Sequence, residues 1–306
     1  MPIGPMGWEA RPAAVEAALA ASATPVYRVS GRATYGLGAG QFSPTYRLYR
    51  AATGRGIQPT DQTIGDCVSH ATAAAVALAM AHAALSAGKP LSWPGDPATE
   101  AIYALSRVEI GRSQLGHSDG STGTWAAEAV QRYGILHRTK YPAADLTTYD
   151  GQRARDWGSP RRGLPDSLEP DAARSPIKAA ALVTTWEELR DHVATGQAAI
   201  VCSNQGFTDR RDSDGFAAPS GTWPHAMAIV AVDESRRRAG ALVLNSWGTD
   251  WIRGPIWPND QPAGSFWADA HVIARMIGGR NADSWALSAY AGFPPPDPAL
   301  TKWLAA

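Results

Sequence analysis

The chain has 306 residues, 44% of them hydrophobic and 18% charged, enough to bury one substantial core that can divide into two lobes around a cleft. Its 28 basic residues balance 28 acidic ones, and Arg161-Arg162 and Arg236-Arg237-Arg238 are too short to build a field, which argues against nucleic acid or an anionic membrane as partner. Two cysteines, Cys67 and Cys202, rule out a disulfide framework and predict a reducing compartment.

Residues 1–56 mix Ala, Gly, Pro and Ser with a few aromatics and show no sustained helical or alternating pattern, so they read as an arm packed on a core. Their opening, Met1-Pro2-Ile3-Gly4-Pro5-Met6-Gly7-Trp8, lacks the basic segment and apolar stretch of an export leader. No stretch elsewhere reads as a bilayer span. The expected location is cytoplasmic or virion-associated.

Gly65-Asp66-Cys67 opens a run of strong helix formers, Val68 to Leu85, closed by Gly88-Lys89-Pro90. Further helices are predicted over 98–110 and 125–133, the last stopped by Gly134. A Pro- and Arg-rich connection over 145–176 reads as a lobe boundary. Beyond it the period changes. Residues 177–183 suit a strand, and Thr185-Trp186-Glu187-Glu188 is a capping box that opens a short helix closing near Gly196. Apolar runs over 198–202, 226–232 and 241–244 read as buried strands, with 265–267 and 271–277 as two more. The fold class is therefore α+β. A domain over 57–280 carries a helical lobe (about 67–145) and a β-rich lobe (about 176–280), and 281–306, with Pro294-Pro295-Pro296, reads as tail.

Three residues carry chemistry in a workable order. A thiol attacks a carbonyl only as thiolate, and Cys67 in the first turn of a helix would lie at free N–H groups that favour negative charge. His225 is a candidate base, and Asn245, inside Asn245-Ser246-Trp247-Gly248, a candidate orienting amide. Taken alone, a cysteine in an apolar helix is more often a small buried hydrophobe, and it is the downstream partners that reverse this. Asp66 reads as the helix N-cap, or else as a charge that raises the thiol pKa. His70 packs beneath the helix or competes as proton partner, and Cys202 reads as core. The remaining histidines show no ligand spacing, so no metal is expected. No Gly-rich loop joins a strand to a helix, so no nucleotide and no other cofactor is expected.

In these residues the chain resembles the papain-like cysteine peptidases. Gln62-Thr63-Ile64-Gly65-Asp66-Cys67 is similar to their nucleophile segment, and Pro224-His225-Ala226-Met227 to their histidine strand. Asn245-Ser246-Trp247-Gly248 matches their asparagine segment, and Asp119-Gly120-Ser121-Thr122-Gly123-Thr124-Trp125 resembles their glycine-rich wall. The resemblance spans about 58–277. It implies a two-lobed fold, a helical lobe and a β-barrel-like lobe with the active-site cleft between them. It also implies a peptide or protein substrate, Cys67 as nucleophile, His225 as general acid and base, and Asn245 orienting the imidazole under Trp247. Gln62 would join the Cys67 N–H as oxyanion donor. Gly120 and Gly123 would border the substrate backbone, with Pro224 and Ala198 near the specificity pocket.

The chain departs from that pattern in several places. Gln62 lies five residues before Cys67 instead of six, Ile64 replaces a usual cysteine, and Val68 a usual aromatic. No recognisable inhibitory segment precedes Cys67, so control by latency is not expected. These departures keep a second reading open, a weak or inactive papain-fold protein serving as a binding or structural component, for instance in a phage particle. The sequence does not address oligomeric state.

Overall fold

The computed structural model describes residues 4–21, 36–87 and 93–289. The expected helix stop at Gly88-Lys89-Pro90 and the proline run at 294–296 lie outside them. In chain order the elements are α1 (Pro12–Ala21), β1 (Phe42–Ser43), α2 (Tyr46–Thr53), α3 (Cys67–Ser86), α4 (Thr99–Ala104) with a wider π turn over Leu105–Ile110, and α5 (Gly123–Arg132). A short hairpin, β2 (Lys140–Tyr141) and β3 (Ala144–Asp145), precedes α6 (Gly151–Trp157) and α7 (Glu169–Ala172). Then follow β4 (Ala179–Leu182), α8 (Trp186–Ala194), β5 (Ala198–Arg211), β6 (Ala217–Asp233), β7 (Gly240–Leu244), β8 (Ser265–Asp269), α9 (Ala270–Ile277) and β9 (Trp285–Ser288).

The sheet runs in the order β4-β9-β5-β6-β7-β8, with β1 paired to β6, and every pairing is antiparallel. The expected β-barrel-like lobe is corrected here. Among the described residues the end strands β4 and β8 lie five places apart and do not pair, so the sheet they form is open and no barrel closes.

Helix α3 packs on one face of the sheet, where Val68, Val76 and Leu78 share a core with Ile200, Ala228, Val230 and Leu242. Its alanines are small enough for neighbours to approach from several sides, and most of the helix is buried. By length and composition α3 is apolar enough to cross a membrane, contrary to the sequence expectation, but it is spent inside the protein. The opposite face of the sheet is covered by α8 and α9, through Leu189, Val193 and Ile273 against Val201, Ile229 and Phe266. The capping box that starts α8 is formed, Thr185 accepting from the Glu188 N–H and Glu188 reaching back.

Four expectations change. Residues 145–176 are no lobe boundary, because Leu146, Leu164, Leu168 and Ala172 pack with Ala98, Leu105 and Leu136 in the helical layer. Residues 271–277 form a helix, not a strand. Val272, Ile273, Met276 and Ile277 are buried at helical spacing, while His271 and Arg275 face out. The domain does not end at 280, since β9 lies inside the sheet between β4 and β5. Nor is all of 1–56 arm, because Tyr46, Leu48 and Tyr49 of α2 are fully packed.

Candidate active site

Cys67 is the first residue of α3, preceded by Gly65, whose N–H donates to Asp119 Oδ2 at 3.1 Å. The thiol is buried, and its Sγ accepts from the Ala226 N–H at 3.4 Å. Burial pushes it up to about 12. The Ala226 N–H opposes this, and the Asp66 carboxylate adds to it.

His225 and Asn245 stand on the neighbouring strand β6 and just past the end of β7. The ring Nε2–H of His225 donates to Asn245 Oδ1 at 2.8 Å, which leaves Nδ1 as the unprotonated nitrogen of the neutral ring. Among the described residues Nδ1 has no hydrogen-bond partner, so Cys67 Sγ meets the backbone next to the imidazole and makes no bond to the imidazole itself. Trp247 lies tilted over the His225 ring with centroids 4.7 Å apart, and Trp223 stands edge-on to the same ring. Burial lowers His225 to about 4, against the Asn245 bond that raises it. The resting pair is thus a neutral thiol and a neutral imidazole.

The other sequence candidates divide. Gln62 lies beside the site, but its Nε2 donates to the Pro5 and Ile64 carbonyls at 3.0 and 2.9 Å while Oε1 accepts from Ser246 Oγ. Gly120, at φ +114°, borders the groove, and a Cβ there would stand 2.8 Å from the Gly7 carbonyl oxygen. Gly123 N–H donates at 2.7 Å to Asp283 Oδ2, the oxygen that also takes the Trp8 indole, and a Cβ on Gly123 would stand 3.0 Å from Cys202 Sγ. Pro224 presents its carbonyl to the groove. Ala198 is displaced from it by strand register: it pairs with Leu287 in the core, and Cys202, four residues further along β5, takes the groove-side position opposite Ala226. Cys202 is buried as expected, yet an acid does stand beside it, since the Asp283 carboxylate helps raise its thiol.

Asp66 occupies the N-cap position without capping. Its Oδ2 accepts from Tyr149 at 2.9 Å and its Oδ1 lies 3.3 Å from His70 Nε2. His70 packs edge-on against Tyr149, beneath the helix.

Residues 4–9 cross the site, which no motif foretold. Pro5 O accepts from Gln62 Nε2 and from Trp247 Nε1, each at 3.0 Å, and Gly4 lies against the Trp247 ring. Ser121 N–H donates to Gly7 O at 2.8 Å and Glu9 N–H to Ser121 O at 2.9 Å, in a parallel bridge. Trp8 donates its N–H to Pro224 O at 3.1 Å and its indole Nε1–H to the buried Asp283 at 2.9 Å. The sequence pointed to no segment of this kind before Cys67, yet residues 4–9 lie across these side chains. The only signal lay in Gly4 and Gly7, too common a residue type to stand out.

No protein-family model matches the chain, and no curated protein matches it. Among solved structures it is similar to xylellain, a cysteine protease from Xylella fastidiosa, at 17% identity and a TM-score of 0.53 over 94% of this chain and 92% of that one. It is also similar to procathepsin B S9 from Trypanosoma congolense, at 13% identity and a TM-score of 0.52 over 96% of this chain and 87% of that one. The chain has the papain-like fold. Within that papain-like fold, Cys67 heads the central helix and His225 and Asn245 sit on adjacent parts of the sheet.

Proposed function

We propose that the chain is a cysteine peptidase held latent by its own residues 4–9. The observation that carries this reading is the His225 Nε2–Asn245 Oδ1 bond at 2.8 Å, which leaves Nδ1 bare beside a helix-terminal thiol. Once the arm withdraws, water reaches the site and both pKa values relax toward the neutral range. The Cys67 proton passes to His225 Nδ1, and Sγ attacks the carbonyl carbon of a peptide or protein substrate. The resulting oxyanion takes the Cys67 N–H and the Gln62 Nε2–H now occupied by Pro5 O. His225 returns its proton to the departing amine and leaves a thioester on Cys67. It then deprotonates a water molecule that releases the acid and restores the thiol. Asn245 holds the ring plane throughout, and Trp247 keeps solvent from the His225–Asn245 bond. Both cysteines are free and buried, which suits a cytoplasmic or virion interior.

A second reading, a binding or assembly protein of the same fold, draws on the neutral pair and the occupied groove. An epoxide or vinyl-sulfone probe separates the two. Under the peptidase reading the wild-type protein and Cys202→Ala are labelled and Cys67→Ala is not. Labelling that survives loss of Cys67 refutes the nucleophile assignment, and no labelling in any variant favours the binding reading.

A further inference from the structure

We infer that Asp283 is a specificity-determining residue, and that the pocket now filled by Trp8 selects a substrate side chain with a flat apolar body and an N–H at its far edge, tryptophan above others. The inference rests on the peptidase reading only for the word substrate.

Trp8 follows directly on Gly7, which crosses Gly65 two residues before Cys67, and its own N–H donates to the Pro224 carbonyl next to His225, so its side chain enters a pocket beside the reacting groups. The indole is 3% exposed, and its single polar atom donates to Asp283 Oδ2 at 2.9 Å. Asp283 is itself 1% exposed and does not depend on Trp8 for its place. It accepts from the Gly123 and Thr124 N–H groups at the start of α5, from Thr124 Oγ1 and from Trp285 Nε1. These bonds hold the carboxylate rigid, with one direction of Oδ2 left for whatever enters the groove.

Trp8 joins the main core cluster from the rim of an open groove and not from the middle of a sealed interior. Its ring borders an open hollow of about 410 Å³ walled by Cys202, Ser203, Thr222 and Met276. Withdrawing it would strand a buried carboxylate oxygen with one donor missing, and an occupant without an N–H leaves that deficit in place. Phenylalanine or leucine would fill the space but not the bond. The discrimination rests on one hydrogen bond to a charged acceptor, so about tenfold is the expected scale.

The test keeps Asp283 intact and changes only the occupant. Full-length Trp8→Ala is labelled at Cys67 with a thiol probe in the presence of two acetylated peptides spanning residues 5–10. One carries tryptophan, and the other carries 3-benzothienylalanine, the same shape with sulfur in place of N–H. The same pair of side chains is then placed in fluorogenic peptide substrates. The inference predicts faster labelling of Trp8→Ala than of wild type. It also predicts protection by the tryptophan peptide at a concentration about tenfold below that of its sulfur analogue, and a similar ratio in kcat/KM. Equal protection by the two peptides, or labelling unchanged by Trp8→Ala, overturns it. Selective protection without hydrolysis of any peptide upholds the pocket and removes the peptidase reading instead.

Discussion

Gly7 and Gly65 cross backbone to backbone beside the Cys67 sulfur, so closely that a Cβ on Gly7 would stand 1.8 Å from the Gly65 carbonyl oxygen. No rotamer relieves that contact, because both partners are main chain. The arm therefore seats only if residue 7 is glycine.

Gly7→Ala should expel residues 4–9 from the groove and leave the core folded, since the arm contributes Trp8 alone to the main core cluster. The expected result is at least a tenfold rise in the rate at which Cys67 reacts with iodoacetamide at pH 7, with circular dichroism unchanged. A rate equal to wild type would show that the arm does not guard the thiol.

In that unblocked background, Asn245→Ala should lower kcat/KM by roughly 10 to 100-fold, the loss of one orienting hydrogen bond to the imidazole. His225→Ala should abolish turnover. If Asn245→Ala proved the more damaging of the two, the imidazole would not be the proton carrier.

Gln62→Ala, also in the unblocked background, should cut kcat by about 10²- to 10³-fold with little change in KM, as loss of an oxyanion donor does. Equal loss in KM, with kcat kept, would assign Gln62 to binding the arm and not to the reaction.

The buried imidazole gives a pH signature. His225 lies near 4 in the fold against 6.5 as its ordinary value, so below pH 6.5 the unfolded chain binds a proton that the folded chain does not. Stability contributed by the neutral ring is complete above 6.5 and is lost as pH falls toward 4, by up to about 3 kcal/mol. His192, lowered to about 3 by burial, acts in the same direction and remains in a His225→Gln variant. Urea midpoints at pH 7 and pH 4.5 should therefore fall further in wild type than in His225→Gln. Parallel falls would mean that His225 is already solvated.

What the sequence made legible was local chemistry. Cys67 at a helix start, the capping box at Thr185 and the Asn245-Ser246-Trp247-Gly248 string are readable because each is set by residues a few positions apart. Asp283 was hidden, because its meaning comes from Gly123 and Thr124, some 160 positions away, and from Trp8, 275 away. The strand expected at 271–277 failed because seven mostly apolar residues suit either period until a neighbour fixes which face is buried. Strand β5 continues nine residues past its apolar run, through Asn204, Gln205 and Asp209, because shifted pairing with β6 supplies what its side chains do not. Sheet closure was equally unreadable, since it depends on which strands become edges.

The most direct test of the account is acid-quenched mass spectrometry of the Gly7→Ala protein mixed with a peptide ester bearing tryptophan. The account predicts a transient acyl group on the fragment containing Cys67, lost in Gly7→Ala/Cys67→Ala. An acyl group on Cys202, or none on a folded protein whose Cys67 alkylates freely, would contradict it.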